Sequence, residues 1–174
     1  MADRLVLSLW EPPISPEAAR EIFWLDAGQG AVYWRETGKG RHAKRAGRAG
    51  FKKGGERYMR VKLRGRLIAL HRLVWCLQYG EWPDGLIDHI NGDPSDNRIA
   101  NLRLADKRLN AENQRRARAD NATGVLGVRA HGEKFRAQIR TGGQTIYLGL
   151  FSTSGEAHAA YVEAKRRLHE GCTL

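Results

Sequence analysis

Apolar and polar positions along the chain fall into short runs of two different periods, near two and near 3.6. Ser15-Pro16-Glu17 reads as a helix start, with a capping hydroxyl, a proline in the first turn and an acid at the positive end of the dipole. That helix is expected to run to about Trp24, followed by a glycine-marked turn and the strand AVYWR. Arg57 to Leu63 then alternates: Met59, Val61 and Leu63 on one face, Tyr58, Arg60, Lys62 and Arg64 on the other. Arg64-Gly65 reads as a hairpin turn into RLIAL, which makes a half-buried ribbon with a basic face. HRLVWCLQYG follows as a helix whose Leu73, Val74 and Leu77 form a buried stripe, ended by Gly80 and Pro83.

GLIDHI begins as an apolar strand and passes into a loop rich in Asn, Asp, Gly and Pro. A second short strand, IANLRL, leads to a helix that Asp106 is placed to cap. Beyond the polar linker ARADNATG come three strands joined by glycine turns, VLGVRA, EKFRAQIRT and QTIYLGLF. In the second of these, Phe135, Ala137 and Ile139 alternate with Lys134, Arg136, Gln138 and Arg140, so one face packs and the other is basic. Thr153 and Glu156 form a capping box, and Ala157, Ala160, Tyr161, Ala164 and Leu168 recur at helical spacing up to Gly171. The class is α+β in three parts: residues 1–70 as a helix and basic β-ribbon, 71–118 as a polar strand-loop-strand-helix core, and 119–174 as a three-stranded sheet backed by one helix.

Composition sharpens the choice of partner. Thirty Lys and Arg against nineteen Asp and Glu give a net charge of +11 over 174 residues, which favours a polyanion such as nucleic acid. The excess is local. Residues 41–72 alone carry +11, residues 73–104 carry −3, and residues 121–174 carry +3. An arm such as RHAKRAGRAGFKKGG suits a phosphate backbone, so Arg45, Arg48, Lys52, Lys53, Arg60 and Lys62 are candidate DNA contacts. No apolar run approaches the roughly 18 to 20 residues of a membrane span, so no membrane partner is expected. The opening residues read as mature cytoplasmic sequence. Cys76 and Cys172 stand alone and far apart, which argues against a structural zinc site.

The densest polar cluster is Asp88, His89, Asn91, Asp93, Asp96, Asn97 and Asn101, followed by Asn110 and Asn113 on the helix. Asp88 ends one strand and Asn110 sits on a helix able to fold back over it, so two side-chain oxygens could converge on one hard cation. His89 titrates near neutrality and could take a proton from water. Asp93 to Asn97 are read as shaping the loop, and His71 as packing.

These residues, within HRLVW…LIDHINGDPSDNRIANLRLADKRLNAEN, closely resemble the HNH endonucleases of the phage and intron-homing type. The resemblance implies a ββα-metal core in which His89 is the general base, Asn101 fixes its ring, and Asp88 and Asn110 hold one Mg2+ or Mn2+ per active site. Asn110 stands where the archetype has histidine, and an amide oxygen suits magnesium better than zinc. The C-terminal segment TGVLGVRAHGEKFRAQIRTGGQTIYLGLFSTSGEAHAAYVEAKRRLH resembles the AP2 DNA-binding domain. That resemblance turns Arg129, Lys134, Arg136, Gln138, Arg140 and Tyr147 towards double-stranded DNA. Phe135 replaces a common Trp, and VLG replaces the usual aromatic-Arg-Gly opening.

The expected function is a metal-dependent, site-specific endonuclease of the homing type. As a monomer or weak dimer it would nick one strand per active site. The alternative is a DNA-binding transcriptional regulator with an inactive nuclease fold; an RNA-binding protein is weaker, since no RNA-type aromatic platform is evident.

Overall fold

The computed structural model describes residues 11–35 and 47–174. Its contacts divide the chain into two compact units, Met1–Asp106 and Lys107–Leu174.

The first unit opens with helix α1, Pro16–Ile22, whose cap is Ser15: the hydroxyl oxygen accepts from the Ala18 N–H at 3.3 Å. The helix stops two residues short of the expected Trp24, because Phe23 already belongs to strand β1, Phe23–Asp26. Phe23 is fully buried against the Trp34 ring, 4.4 Å between centroids, and this packing takes precedence over another helical turn. Strand β2, Ala31–Trp34, pairs antiparallel with β1 and with the two-residue β3, Gly47–Arg48. Strands β4, Arg60–Leu63, and β5, Arg66–Ala69, form the expected hairpin. Arg64 and Gly65 both take positive φ, 47° and 79°, as a type I′ turn demands. Val61 and Leu63 point into the core and Lys62 points out.

Helix α2, Leu70–Tyr79, ends in left-handed Gly80, whose N–H donates to the Cys76 carbonyl. Leu70, Leu73, Val74 and Cys76 bury its inner face against Phe23, Val32, Val61 and Ile68, and this cluster extends to Leu102. Burial pushes the Cys76 thiol up to about 12. Strands β6, Leu86–His89, and β7, Leu102–Ala105, pair antiparallel, with Asp88 opposite Arg103 and His89 opposite Leu102. A 3-10 turn at Ile99–Asn101 delivers the chain into β7.

The second unit begins with the six-residue helix α3, Lys107–Glu112. Strands β8, Val128–His131, β9, Lys134–Thr141, and β10, Gln144–Phe151, make an antiparallel sheet in the order β10-β9-β8. Helix α4, Ser154–Leu168, starts at the Thr153–Glu156 capping box and covers one face of the sheet through Ala157, Tyr161 and Ala164. Val128, Ala137 and Ile139 are buried from the sheet side. Lys165 is buried as well, and its ammonium donates to the Gln114 carbonyl below the Tyr161 ring. No helix among the described residues is long and apolar enough to cross a membrane.

Gly127 shows how tightly α4 seats. It has φ +77°, and a Cβ there would meet the Tyr161 ring at 2.0 Å, whereas Gly124 at φ +63° has open space around it. Gly127→Ala is expected to destabilise the second unit by about 2–4 kcal/mol, from left-handed strain plus overpacking. Gly124→Ala, which meets only the strain, should cost about 1 kcal/mol in the same urea titration.

Candidate active site

Strand β6 carries its polar residues at the C-terminal end, and both Asp88 and His89 are buried there, 6% and 5% exposed. A buried carboxylate needs compensation. The β6–β7 register supplies it by setting Arg103 opposite Asp88; Nε and Nη2 both donate to Asp88 Oδ2, at 3.0 and 2.8 Å.

The loop from His89 to the 3-10 turn is clasped by short-range hydrogen bonds. Asn101 Oδ1 accepts from the Asn91 N–H at 2.9 Å, while Asn101 Nδ2 donates to Asn91 Oδ1 at 3.0 Å and to the Asp96 carbonyl at 2.7 Å. Asp93 Oδ1 accepts from both the N–H and the hydroxyl of Ser95. Asp96 receives Arg98 through two nitrogens, and these bonds hold its carboxyl down at about 2. The Ile90 N–H donates to the Asn101 carbonyl, closing the mouth of the loop.

The partner of the His89 ring differs from the sequence expectation. Asn101 was expected to fix that ring, yet its side chain is engaged by Asn91 and Asp96, and it acts on the loop backbone. The ring nitrogen Nε2 of His89 meets Asn97 Oδ1 at 3.1 Å. Asn97, 3% exposed, is therefore more than a loop-shaping residue. Its Nδ2 donates to the Ser95 carbonyl at 3.3 Å, so the oxygen faces the histidine and accepts from Nε2–H. Nδ1 is then the lone-pair nitrogen, the one fitted to accept a proton. Burial lowers the His89 pKa, against the Asn97 hydrogen bond and the charges of Asp88, Asp93 and Asp96, and so favours the neutral, basic imidazole.

Two residues near this site escaped the sequence reading. Gly30, at φ +62° between β1 and β2, leaves room for the Asn97–Arg98 backbone, which a Cβ would meet at 2.2 Å. The signal was only a glycine in a turn. Tyr58 was assigned to an outward face, but its ring lies 6.0 Å from that of His89, and His71 lies 5.3 Å from both.

The remaining candidates are spread over the molecule. Asn110 stands on α3, in the second unit. Arg48, Lys52, Lys53 and Lys62 are exposed in the first unit; Arg60 is half-buried and pairs with Glu56 at 3.4 Å, and Arg45 falls outside the described residues. On the sheet of the second unit Arg129, Lys134, Arg140 and Tyr147 are exposed and Gln138 is half-buried. Half-buried Arg136 bonds His131 Nδ1 at 2.9 Å and sits directly opposite Arg129.

Asn97→Ala removes the acceptor of a buried N–H and should cost about 1–3 kcal/mol on urea unfolding. Gly30→Ala should lose about 2–4 kcal/mol by forcing the Asn97 backbone away, so both variants should fail in the first unit. Tryptophan fluorescence reports that unit, since all five tryptophans lie within residues 1–106.

Comparison with family models matches residues 69–112 to the HNH endonuclease family, a span that contains Asp88, His89, Asn97, Asn101 and Asn110 and covers a quarter of the chain. Comparison with curated proteins and with solved structures finds no match. Residues 69–112 thus carry the pattern of an HNH endonuclease, which supports a metal-dependent nuclease acting on DNA.

Proposed function

We propose that this chain is an HNH endonuclease of the homing type that hydrolyses phosphodiester bonds in duplex DNA, cutting one strand at each active site. The observation that carries the reading is the buried Asp88–His89 pair at the end of β6, in which ring nitrogen Nε2 is committed to Asn97. His89 Nδ1 takes the proton of the water that attacks phosphorus in line, and Asn97 holds the opposite nitrogen protonated while it does so. Arg103 pairs with Asp88 at 2.8 Å in its buried position.

Asp88 and Asn110 are the proposed metal ligands, carried over from the HNH pattern. The donor chemistry fits a hard cation: a buried carboxylate and a side-chain amide, both oxygen donors. Bound there, Mg2+ or Mn2+ would supply positive charge for the scissile phosphate and the departing oxygen. In the second unit, the helix-free face of the sheet, with Arg129, Lys134, Arg136, Gln138, Arg140 and Tyr147, is proposed to lie against DNA as in an AP2 domain. The supporting feature is one helix on one face and a basic row on the other.

Supercoiled plasmid should be nicked in magnesium and left intact in EDTA. His89→Ala should lower the nicking rate by about 10²- to 10⁴-fold. No metal-dependent nicking by the native protein would make this a DNA-binding regulator with an inactive nuclease fold, and unchanged nicking by His89→Ala would sink the assignment of His89 as the base. Arg129→Ala and Arg140→Ala should each weaken duplex binding and reduce the slope of log affinity against log salt by about 1.

A further inference from the structure

We infer that the outer face of the β1-β2-β3 sheet is a stacking platform for unpaired bases of single-stranded DNA, with Trp24 and Tyr33 as its rings and Arg48 beside them for phosphate. The choice of DNA over RNA rests on the nuclease reading; the stacking does not.

The platform follows from where α1 stops. Read as the end of a helix, Trp24 belongs to no aromatic surface; as a strand residue it faces away from its neighbour Phe23. Phe23 and Val32 go into the core, each 0% exposed, and Trp24 and Tyr33 take the opposite face. The register sets Trp24 across from Tyr33 and Tyr33 across from Arg48, so one row crosses three strands. The two rings stack at 4.4 Å between centroids and 12° between planes. Trp24 has no other ring partner among the described residues, β1 is the edge of the sheet, and 42% of the residue stays in solvent.

A cross-strand aromatic pair supports a sheet by itself, but this one is also preset and charged. The Arg35 N–H donates to the Ile22 carbonyl at 2.8 Å, and its Nε donates to the carbonyls of Arg20 and Phe23 at 2.9 and 3.0 Å. The Ala49 N–H donates to the Val32 carbonyl at 2.6 Å and ties down β3. The rings therefore need little ordering when a ligand arrives. Asp26, on the same face as Trp24, is engaged in its own turn, where Oδ1 accepts from the Gln29 N–H at 3.0 Å. Arg48 is exposed, and its guanidinium has no bonded partner among the described residues. Lys52 and Lys53 follow it, exposed, within the stretch 41–72 that carries +11. A ligand matched to an open indole beside free positive charge has flat apolar faces and regularly spaced anions. Single-stranded DNA has both, whereas a duplex keeps its base faces in its own stack.

The full-length protein tests this in EDTA, where nothing is cut. It is titrated, by fluorescence anisotropy, with a labelled DNA strand, an abasic strand of equal length and an RNA strand of matching sequence. Native protein should bind the base-bearing DNA about 5- to 100-fold more tightly than the abasic strand. Trp24→Ala should lose that preference with the salt dependence unchanged, and Trp24→Phe should keep most of it. Arg48→Gln should weaken both DNA strands alike and lower the slope of log affinity against log salt by about 0.7. DNA should also quench tryptophan fluorescence, less so in Trp24→Phe. Equal native affinity for base-bearing and abasic strands would overturn the inference, as would a folded Trp24→Ala that keeps the preference. If Trp24→Ala unfolds, the native comparison and the quench in Trp24→Phe decide. RNA bound as tightly as DNA overturns the assignment to DNA. A native protein that nicks no plasmid in magnesium refutes the nuclease reading alone, because stacking is read here without metal or turnover.

Discussion

An ionisable pair at the end of a four-residue strand sets the terms for the first unit. Asp88 and His89 are both nearly excluded from water, and a carboxylate so placed is tolerable only with a cation against it. The antiparallel register of β6 and β7 supplies Arg103, and a slip of one residue would turn Arg103 to the opposite face and strand the charge. Register, and hence the placement of the proposed catalytic ring, is held by electrostatics as well as by the apolar contact of Leu102 with the core.

Around that pair the loop behaves as a scaffold built from its own side chains. Asn91, Asp93, Asp96 and Asn101 hydrogen-bond to one another and to the local backbone, so a segment with no helix or sheet ladder is still tied internally. The unusual member is Asn97, which spends one end of its amide on the Ser95 carbonyl and the other on an imidazole. Two bonds on one small planar group convert loop geometry into a choice of histidine tautomer. Gly30 allows this from a distance in sequence, because the turn between β1 and β2 must pass against the Asn97–Arg98 peptide without a side chain.

Much of this was legible in the residues alone. The hairpin turn at Arg64-Gly65, the Ser15 and Thr153 caps, the alternation of β9 and the helical stripe of α4 all follow from local chemistry, and the structure has each of them. The extent of α1 was not legible, because Phe23 is committed to a strand by Trp34, a partner eleven residues away. Asp88 and His89 stood out as a pair. Which amide serves His89 did not, since Asn97 and Asn101 lie four residues apart in a loop rich in such side chains and only the fold of the loop distinguishes them. Tyr58 was hidden for a different reason. Period-two alternation assigns it to the outer face of a ribbon, but the strand begins only at Arg60, so the alternation does not govern it.

The sheet of the second unit places Arg129 directly across from Arg136, and like charges in a cross-strand pair weaken a sheet. Dissolved salt acts on that pair in two opposing senses. It screens the repulsion and so firms the isolated sheet, and it competes with any polyanion lying on the same face. Salt therefore firms this pair in the free sheet, and would weaken the DNA contact proposed for the same face.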